Sequence, residues 1–326
     1  MSNKTFVEVC AGAGGLSSGF IKAGFTPILL NDFDKYCCKT LKLNHKNTHV
    51  FHGSLVDINS EKYKNKTDLL MGGVPCQSFS QAGKRKGIKD DRGKLMLHFI
   101  KMVDEINPKV FLIENVKGLL SVDKGETFKF ILNEFEKLNK YNISHKVLNA
   151  NNYSVPQNRL RLIIVGVRND IKKTFNFPKE HTYKPVLKDV LVNCPESDGA
   201  KYKPEKSEVM RQVPQGGCWV NLPQDVQIAY MGGSYTSGGG RRGIAKRLDM
   251  KKPSLTILCS PQQKQTERCH PIETRPLQLL ESSRIQSFPD DYEFYGSIAQ
   301  QYKQIGNAVP PKMAYAIAEE VYKVLQ

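Results

Sequence analysis

The chain has 326 residues, 40% of them hydrophobic, with 48 Lys and Arg against 32 Asp and Glu, which gives a net charge of +16. This length can bury the core of one large domain or of two moderate ones. No stretch approaches the ~20 apolar residues of a membrane-spanning helix, and the first residues, MSNKTFVEV, lack the pattern of a signal peptide. These features predict a cytoplasmic protein without a membrane partner.

The positive charge leaves two interpretations open. An excess of this size fits a polyanionic partner, with nucleic acid as the first candidate, but a lysine-rich solvated exterior also produces it. The eight cysteines include no C-x-x-C pair and no paired metal-ligand spacing. We therefore predict neither disulfides nor a metal site.

The first half of the chain alternates short β-rich runs with longer amphipathic segments. The runs, in chain order, are TFVEV, PILL, DLLMGG, KVFLIEN and LRLIIVGV. This rhythm predicts an α/β fold with a largely parallel sheet covered by helices. One helix is clear in DKGETFKFILNEFEKLN, with Asp123 as its expected cap and a core-facing stripe of Phe128, Ile131, Leu132, Phe135 and Leu138.

The composition changes after about Phe177. Segments such as CPESDGAKYKPEK and GGSYTSGGGRRG are rich in Pro, Gly, Ser and charge, which predicts a second, loop-rich domain. From about Glu273 the periodic arrangement of apolar residues returns. The end, PPKMAYAIAEEVYKVL, predicts a helix opened by proline, with an apolar face of Met313, Ile317, Val321 and Leu325.

A glycine-rich turn, CAGAGGLSSGF, follows the first predicted strand. Asp32 in NDFD comes about 20 residues later, at the end of the second strand, where an acidic side chain can hold ribose hydroxyls. Glycines also serve ordinary strand-to-helix packing. The acid at this distance favours a nucleoside-bearing cofactor, and because the turn does not spell G-x-G-x-x-G, S-adenosylmethionine fits better than NAD.

Cys76, in VPCQSFS, has two interpretations. A lone cysteine is usually an inert core residue. However, Cys76 follows the strand DLLMGG, at the sheet edge where open α/β folds bind ligands. A proline before it stiffens the turn, and a thiol held as thiolate there would be a nucleophile.

Charged residues lie at the ends of two later strands. Glu114 ends KVFLIEN and would stand beside Cys76 if the neighbouring strands pair, either as a helix cap or as a proton donor and hydrogen-bond partner. Arg159 and Arg161 lie two apart at the start of LRLIIVGV. A salt bridge and a nucleotide contact are both open for these arginines.

Eight motifs in order resemble those of the DNA (cytosine-5)-methyltransferases, over nearly the whole chain. They are CAGAGGL, NDFD, GGVPCQSFS, DDRGKL, ENV, NANNYSVPQNRLR, RIQSFPDDY and YKQIGNAVP. The resemblance implies a Rossmann-like methyltransferase fold with a small target-recognition domain. It assigns 1–178, completed by 296–326, to catalysis and cofactor binding, and 179–295 to target recognition and the return segment.

The resemblance also implies the chemistry. A cytosine is flipped out of duplex DNA, Cys76 adds to its C6 atom, and C5 takes a methyl group from S-adenosyl-L-methionine. Glu114 would bind the N3/N4 edge, Arg161 would hold O2, and Arg159 would support the site or the nearby backbone. The implied cofactor-binding residues are Cys10, Ala11, Gly12, Gly14, Gly15, Leu16, Asp32, Phe33, Ser54, Leu55, Pro75, Leu95, Asn307 and Ala308.

Three positions depart from the family pattern. Cys10 stands where an aromatic residue is usual, and Val74 replaces the first proline of the commoner PPCQ. Ser54 occupies the place of the aspartate that contacts the adenine amino group, so either Asp57 substitutes from a shifted position or the cofactor binds less tightly.

The DNA-binding candidates lie in a basic loop after Cys76 and in the predicted recognition domain. Arginine and lysine suit phosphate or guanine, and glutamine suits adenine or phosphate. A solvated basic loop is an equally open interpretation for any single lysine. The candidates are Ser80, Arg85, Lys86, Arg92, Arg241, Arg242, Arg247, Gln263, Lys264 and Arg268.

The sequence therefore favours a monomeric DNA cytosine-5 methyltransferase of prokaryotic or viral type, with a possible cognate restriction endonuclease. A tRNA cytosine-5 methyltransferase is the nearest alternative, although the Cys-Phe-Thr element usual in those relatives is missing. A nucleic-acid binder that has lost catalysis is a second alternative. An NAD dehydrogenase leaves PCQSFS and IGNAVP unexplained.

Overall fold

The computed structural model describes residues 4–75, 91–236 and 243–326. The chain divides into two compact units. The first unit contains Met1–Tyr153, Leu160–His181 and Val309–Gln326, and the second contains Ser154–Arg159 and Thr182–Ala308. By this division the stretches 154–159 and 296–308 belong to the second unit, whereas the sequence places them with the catalytic segment.

The first unit is built on a seven-stranded sheet with the order β3-β2-β1-β4-β5-β8-β6. The strands of the described chain are β1 Lys4–Val9, β2 Phe25–Asp32, β3 Val50–His52, β4 Leu69–Gly72, β5 Val110–Val116, β6 Tyr141–Asn149, β7 Gln157–Asn158, β8 Leu160–Arg168 and β9 Ser254–Leu255. Strands β1 to β5 of this sheet pair in parallel, while β8 runs antiparallel to both β5 and β6. The predicted α/β fold with a largely parallel sheet is confirmed.

Each of the five β-rich runs overlaps one strand of this sheet. Strands β3 and β6 were not predicted, because β3 has only three residues and the sequence of β6, YNISHKVLN, is largely polar with buried residues only near its ends. The direction of β8 was not predictable either, because a fully apolar strand has the same pattern in both directions.

Helices cover the sheet and fill the second unit. They are α1 Gly15–Lys22, α2 Lys35–Asn44, α3 Asp91–Ile106, α4 Glu126–Glu136, α5 Lys188–Leu191, α6 Pro204–Arg211, α7 Gln224–Met231, α8 Leu279–Ile285, α9 Ile298–Asn307 and α10 Pro311–Val324. No helix in the described ranges is long and apolar enough to cross a membrane.

Helices pack on both faces of the large sheet. Val7 and Phe111 share one apolar cluster with residues of α3 and α4. On the other face α1 packs so tightly against α10 that a Cβ on Gly19 would lie 2.5 Å from the Cβ of Ala314. Helix α10 begins at its proline, and its predicted apolar face is buried as expected.

The predicted start of α4 is wrong. Gly125, in a left-handed conformation, precedes the helix, and no side chain caps it. Asp123 lies in the preceding 3₁₀ turn and accepts a hydrogen bond from the Thr127 hydroxyl at 2.8 Å. The predicted apolar stripe is confirmed, with Phe128, Ile131 and Phe135 buried.

The described part of the second unit contains no large sheet. Strands β7 and β9 form a two-residue parallel ladder, and the apolar residues divide between two small clusters, one around Ile257 and Ile305 and one around Met210 and Cys269. The predicted loop-rich character is therefore confirmed, and most of this unit's backbone must find hydrogen bonds outside regular ladders.

Candidate active site

The carboxyl ends of four parallel strands meet at one edge of the sheet. Strand β1 pairs with β2 and β4, and Gly72 at the end of β4 lies opposite both Val9 of β1 and Ile113 of β5. The residues that follow these strands therefore share the edge where open α/β sheets bind ligands.

Glu114 and Arg161 form an ion pair at this edge. The Nε atom of Arg161 lies 2.6 Å from Oε1 of Glu114, and both side chains are largely buried. Arg161 pairs in register with Val116, two residues beyond Glu114, so both side chains leave the same face of the sheet. The salt bridge left open from the sequence is thus present.

The turn after β4 is anchored to β5. The amide of buried Asn115 donates to the carbonyl oxygen of Val74 at 2.9 Å, and Val74 is fully buried. A Cβ on Gly73 would lie 3.5 Å from Oε2 of Glu114, so the missing side chain leaves room beside that oxygen.

Several candidates lie outside the part of the chain that can be described. Cys76 follows half-buried Pro75 and is the first residue beyond the described range 4–75. The other residues without a described side chain are Ser80, Arg85, Lys86, Arg92, Arg241 and Arg242.

The glycine-rich turn after β1 binds Asp32. The Gly12 N–H donates to Oδ2 of Asp32 at 2.7 Å, and the Asp34 N–H donates to Oδ1 at 2.8 Å. Cys10 and Gly12 adopt φ values of 52° and 56°, in the left-handed region. A Cβ on Gly12 would meet nothing within 4 Å, so the turn is open on that side.

The residues after β2 and β3 complete this edge. Phe33 is 78% exposed beside Asp32, whereas Leu55 is buried. Ser54 caps a 3₁₀ turn by accepting a hydrogen bond from the Val56 N–H at 3.4 Å. Asn31, which is buried, donates to the carbonyl oxygens of Phe51 and Gly53 at 3.1 and 2.9 Å and so holds the two strand ends together.

Glu8 is a functional-site neighbour that sequence reasoning missed. It lies fully buried in β1 and is hydrogen-bonded to the Ser17 hydroxyl of α1. Burial raises its pKa to about 8, and the negative charges of Asp32 and Glu114 act in the same direction. The acidic residue inside the apolar run TFVEV was the available signal.

In the second unit, Arg159 supports the backbone of the IGNAVP motif. The side chain is buried and donates to the carbonyl oxygens of Gly306 at 3.0 Å and Ile257 at 3.3 Å. A Cβ on Gly306 would lie 2.4 Å from the Leu258 carbonyl carbon, so a larger residue there would force the neighbouring backbone to shift.

Two buried glutamines support the same segment. The Gln157 amide donates to Gln286 at 2.7 Å, and Gln286 donates to the carbonyl oxygens of Ile305 at 2.6 Å and Ala308 at 3.3 Å. Asn307 ends α9 with an exposed side chain whose Oδ1 accepts from the Cys259 thiol at 3.2 Å. These contacts give the glutamines of SVPQNR and RIQSFP a structural role.

Two arginines predicted to bind DNA are structural instead. Arg247 is 4% exposed and donates to five carbonyl oxygens and one hydroxyl, which belong to Met210, Val213, His270, Ile272, Glu273 and Thr274. Arg268 is 6% exposed and donates to the carbonyl oxygens of Thr256 and Glu267. Their donors satisfy loop backbone, so these two predictions are corrected.

Gln263 and Lys264 remain on the surface. Both are exposed at a 3₁₀ turn, Lys264–Thr266. The Lys264 ammonium donates to the carbonyl oxygen of Tyr230 at 2.6 Å and lies 4.8 Å from the centre of its ring. That lysine is thus partly engaged within the protein.

Comparison with known proteins identifies the family. Residues 4–323 match the model described as C-5 cytosine-specific DNA methylase. The chain is 46% identical to the type II methyltransferase M.Eco47II of Escherichia coli, over 98% of this chain and 79% of that protein. It is 45% identical to the type II methyltransferase M.Sau96I of Staphylococcus aureus, over 98% of this chain and 75% of that protein.

A solved structure shows the same fold. It is the crystal structure of an E. coli prophage protein described as a DNA modification methyltransferase, with a TM-score of 0.75, 24% identity and 99% coverage of both chains. The Rossmann-like methyltransferase fold and the resemblance seen in the motifs are both confirmed. The chain belongs to the family of C-5 cytosine-specific DNA methylases and is a DNA (cytosine-5-)-methyltransferase related to type II enzymes.

Proposed function

We propose that this enzyme transfers a methyl group from S-adenosyl-L-methionine to C5 of a cytosine flipped out of a short duplex sequence, through a covalent bond between Cys76 and C6. The observation that carries the proposal is the Glu114–Arg161 pair, 2.6 Å apart, at the end of the strand next to β4. The segment VPC begins one residue after β4, so the acid, the arginine and the segment that carries the nucleophile come from adjacent strands.

Glu114 serves as the proton donor to the flipped cytosine. Its Oε1 is held by Arg161, while Oε2 lies beside the position of Gly73. This second oxygen would bind the N3/N4 edge, and a proton shared with N3 neutralises the charge that develops in the ring as sulfur adds to C6. A fixed ion pair keeps the carboxyl group oriented before the base arrives.

Arg161 serves as the donor to O2 of the base. Its Nε contacts Glu114 and its Nη1 donates to the Leu160 carbonyl oxygen at 2.8 Å. Nη2 makes no hydrogen bond to the described part of the chain and is directed to O2 in this proposal. Arg159 does not touch the base, because its contacts support the backbone around Gly306.

The reaction balances as an addition followed by an elimination. The Cys76 thiolate adds to C6, and the electron pair moves to C5, which takes the methyl group. A base then removes the C5 proton, and the electrons left behind expel the thiolate. Bound S-adenosyl-L-methionine would supply an electrophilic methyl group, whose bond to sulfur breaks so that S-adenosyl-L-homocysteine is the second product.

The residues at the sheet edge fit that cofactor. The open left-handed turn at Gly12 admits a ligand close to the backbone, half-buried Asp32 can accept from ribose hydroxyls, and the exposed Phe33 ring offers a stacking surface for adenine. Asp32 is already oriented by two backbone N–H groups. The proposal assigns the remaining cofactor contacts to Pro75, Leu95, Asn307 and Ala308.

Double-stranded DNA is the proposed partner, bound by the basic loop after Cys76 and by exposed residues of the second unit. The type II relatives motivate a cognate restriction endonuclease in the same cell. The enzyme acts as a cytoplasmic monomer, because methyl transfer to one flipped base needs no second subunit.

The test is transfer of labelled methyl from S-adenosyl-L-methionine to duplex DNA and, separately, to tRNA. We expect label in duplex DNA with the wild-type enzyme and with the control Cys194→Ala, and no label with Cys76→Ala. Robust transfer by Cys76→Ala, or transfer to tRNA alone, would overturn the proposal.

A further inference from the structure

The second unit contains a buried ion pair outside the site described above. Nζ of Lys206, on α6, lies 2.8 Å from Oε2 of Glu267, whose side chain is fully buried. Burial raises the pKa of Glu267, while Lys206 and Tyr202 lower it and do not cancel the effect of burial. Apolar residues of similar volume often stabilise a core as well as such a pair does, so stability alone is a weak reason for the pair, and we consider what it positions.

Lys206 also binds a loop that we call the glutamine loop, residues 261–268. The same ammonium group donates to the carbonyl oxygen of Gln262 at 2.6 Å. The ends of the loop are joined by a hydrogen bond from the Arg268 N–H to the Pro261 carbonyl oxygen at 2.9 Å. One lysine therefore fixes the loop to α6 at both its beginning and its end.

Two other parts of the unit hold the glutamine loop. Lys264 donates to the carbonyl oxygen of Tyr230 on α7 at 2.6 Å, and the Glu267 N–H donates to the Gly243 carbonyl oxygen at 3.1 Å. A Cβ on Gly243 would lie 2.8 Å from the Gln265 carbonyl oxygen. The loop backbone is thus fixed by contacts with three separate segments.

Two glutamine side chains of the loop take no part in these contacts. Gln263 and Gln265 are exposed, and their amides make no hydrogen bond to the described ranges of the chain. A primary amide offers one acceptor and two donors in a plane, the pattern that matches a base edge in the major groove. The glutamine loop therefore presents two such amides on a backbone that is fixed to the rest of the unit.

We propose that the Lys206–Glu267 pair is a positioning element for sequence selection, which holds the glutamine loop so that Gln263 and Gln265 meet base edges of the target duplex. The inference rests on the proposed function, because selection presupposes methylation of DNA. If the ion pair is removed, the loop is no longer held against α6 and the two glutamines can contact other bases. The expected result is a lower ratio of methylation at the best site to methylation at sites with one base replaced.

The experiment methylates a pool of duplexes in which the bases around a central cytosine are randomised, followed by bisulfite sequencing. Wild-type enzyme selects one short motif. Glu267→Gln and Lys206→Met reduce discrimination at one or two positions of that motif, on the order of 10- to 100-fold for a lost bidentate contact. The matched controls Glu208→Gln and Lys203→Met change charge on exposed residues and leave the motif as it is.

Further variants keep the proposal testable if Glu267→Gln or Lys206→Met fails to fold. Gln263→Ala and Gln265→Ala change only exposed side chains and should each relax one base position. Lys206→Arg keeps the charge and should keep the discrimination that Lys206→Met loses. Thermal midpoints are recorded for all variants.

The outcomes separate the two proposals. If wild-type enzyme selects a motif and every loop variant keeps it with unchanged ratios, the inference is overturned and the proposed function stands. A loss of discrimination that disappears when the variant is assayed well below its thermal midpoint shows a purely structural role and also overturns it. If wild-type enzyme transfers no methyl group, the proposed function itself fails.

Discussion

The two units use buried charge in opposite ways. In the first unit, the sheet satisfies its own backbone, and the buried carboxylates Glu8 and Glu114 stand near strand ends where they face other charged groups. In the second unit, buried Arg159, Arg247 and Arg268 donate to carbonyl oxygens of irregular loops. A regular scaffold leaves its charged side chains available for chemistry, whereas a loop-rich one needs them to satisfy backbone.

The largest expected effect belongs to the first unit. Glu114→Gln removes the proposed acid but keeps the shape of the side chain, and we expect kcat to fall about 10²- to 10⁴-fold, as for loss of a general acid. Cofactor affinity, measured by calorimetry, should change little, because Glu114 is assigned to the base. Steady-state methyl transfer is the measurement.

The control is Glu126→Gln, an exposed carboxylate on α4 that pairs with Lys129. It should leave kcat as it is. A Glu114→Gln enzyme with wild-type kcat would show that Glu114 is not the proton donor. It would also contradict the view that buried charge in the first unit serves catalysis.

Glu8 gives the first unit a pH dependence. Its folded pKa of about 8 lies above the ordinary 4.5, so the folded state keeps the proton between these values while the unfolded state loses it. The free energy of unfolding therefore falls as pH rises through this window, by roughly 4 to 5 kcal/mol at most for this group. Glu8→Gln should lack this fall.

Urea unfolding of both proteins at pH 5, 7 and 9 tests the expectation, because the difference between them isolates Glu8. The stability of wild-type enzyme relative to Glu8→Gln should decline steadily over the series. A difference that is constant with pH contradicts a protonated buried acid in β1.

A variant of Arg247 tests whether buried charge in the second unit serves to satisfy carbonyl oxygens of the loops. Arg247→Met leaves several buried carbonyl oxygens without a donor and should lower the free energy of unfolding by about 3 kcal/mol or more. The slope of DNA affinity against salt concentration should stay the same, since a lost phosphate contact would reduce it by ~1. Arg211→Met, on an exposed side chain, should stay within ~0.5 kcal/mol.

A shallower salt slope together with unchanged stability would return Arg247 to the DNA-binding residues. It would also remove the main support for the contrast between the units.

Gly306 gives the smallest of these effects. Gly306→Ala brings a Cβ within 2.4 Å of the Leu258 backbone, and overpacking of this kind costs about 1–3 kcal/mol. A thermal melt should show the loss. Gly233→Ala, where a Cβ meets nothing within 4 Å, is the matched control, and equal melting of the two variants would refute the close approach.

The sequence predicts the first unit better than the second for a physical reason. Apolar runs such as KVFLIEN and DLLMGG carry the period and length of buried strands, and parallel pairing then brings their ends together, so the location of Glu114 at the sheet edge follows. Even in this unit the predicted cap of α4, Asp123, was wrong. The helix begins after Gly125, which has a left-handed backbone conformation, and no side-chain capping hydrogen bond is present.

The second unit has no such period. Arg247, Arg268 and the exposed Lys264 look alike in a basic, loop-rich sequence, and only the fold distinguishes a guanidinium that satisfies buried carbonyl oxygens from a charge on the surface. Glu8 was missed for a related reason, since a buried acid needs a nearby partner such as Ser17 that lies on another element.

The most direct measurement is a covalent trap of the reaction. Duplex DNA in which 5-fluorodeoxycytidine replaces deoxycytidine is incubated with enzyme and S-adenosyl-L-methionine. Fluorine takes the place of the C5 hydrogen that must be removed as a proton, so the elimination is blocked and the covalent bond between enzyme and base persists. Proteolysis and mass spectrometry then locate the bond. We predict one DNA-linked peptide, joined at Cys76 and carrying the transferred methyl group. An enzyme that methylates DNA but forms no adduct, or forms it at another residue, would contradict the account.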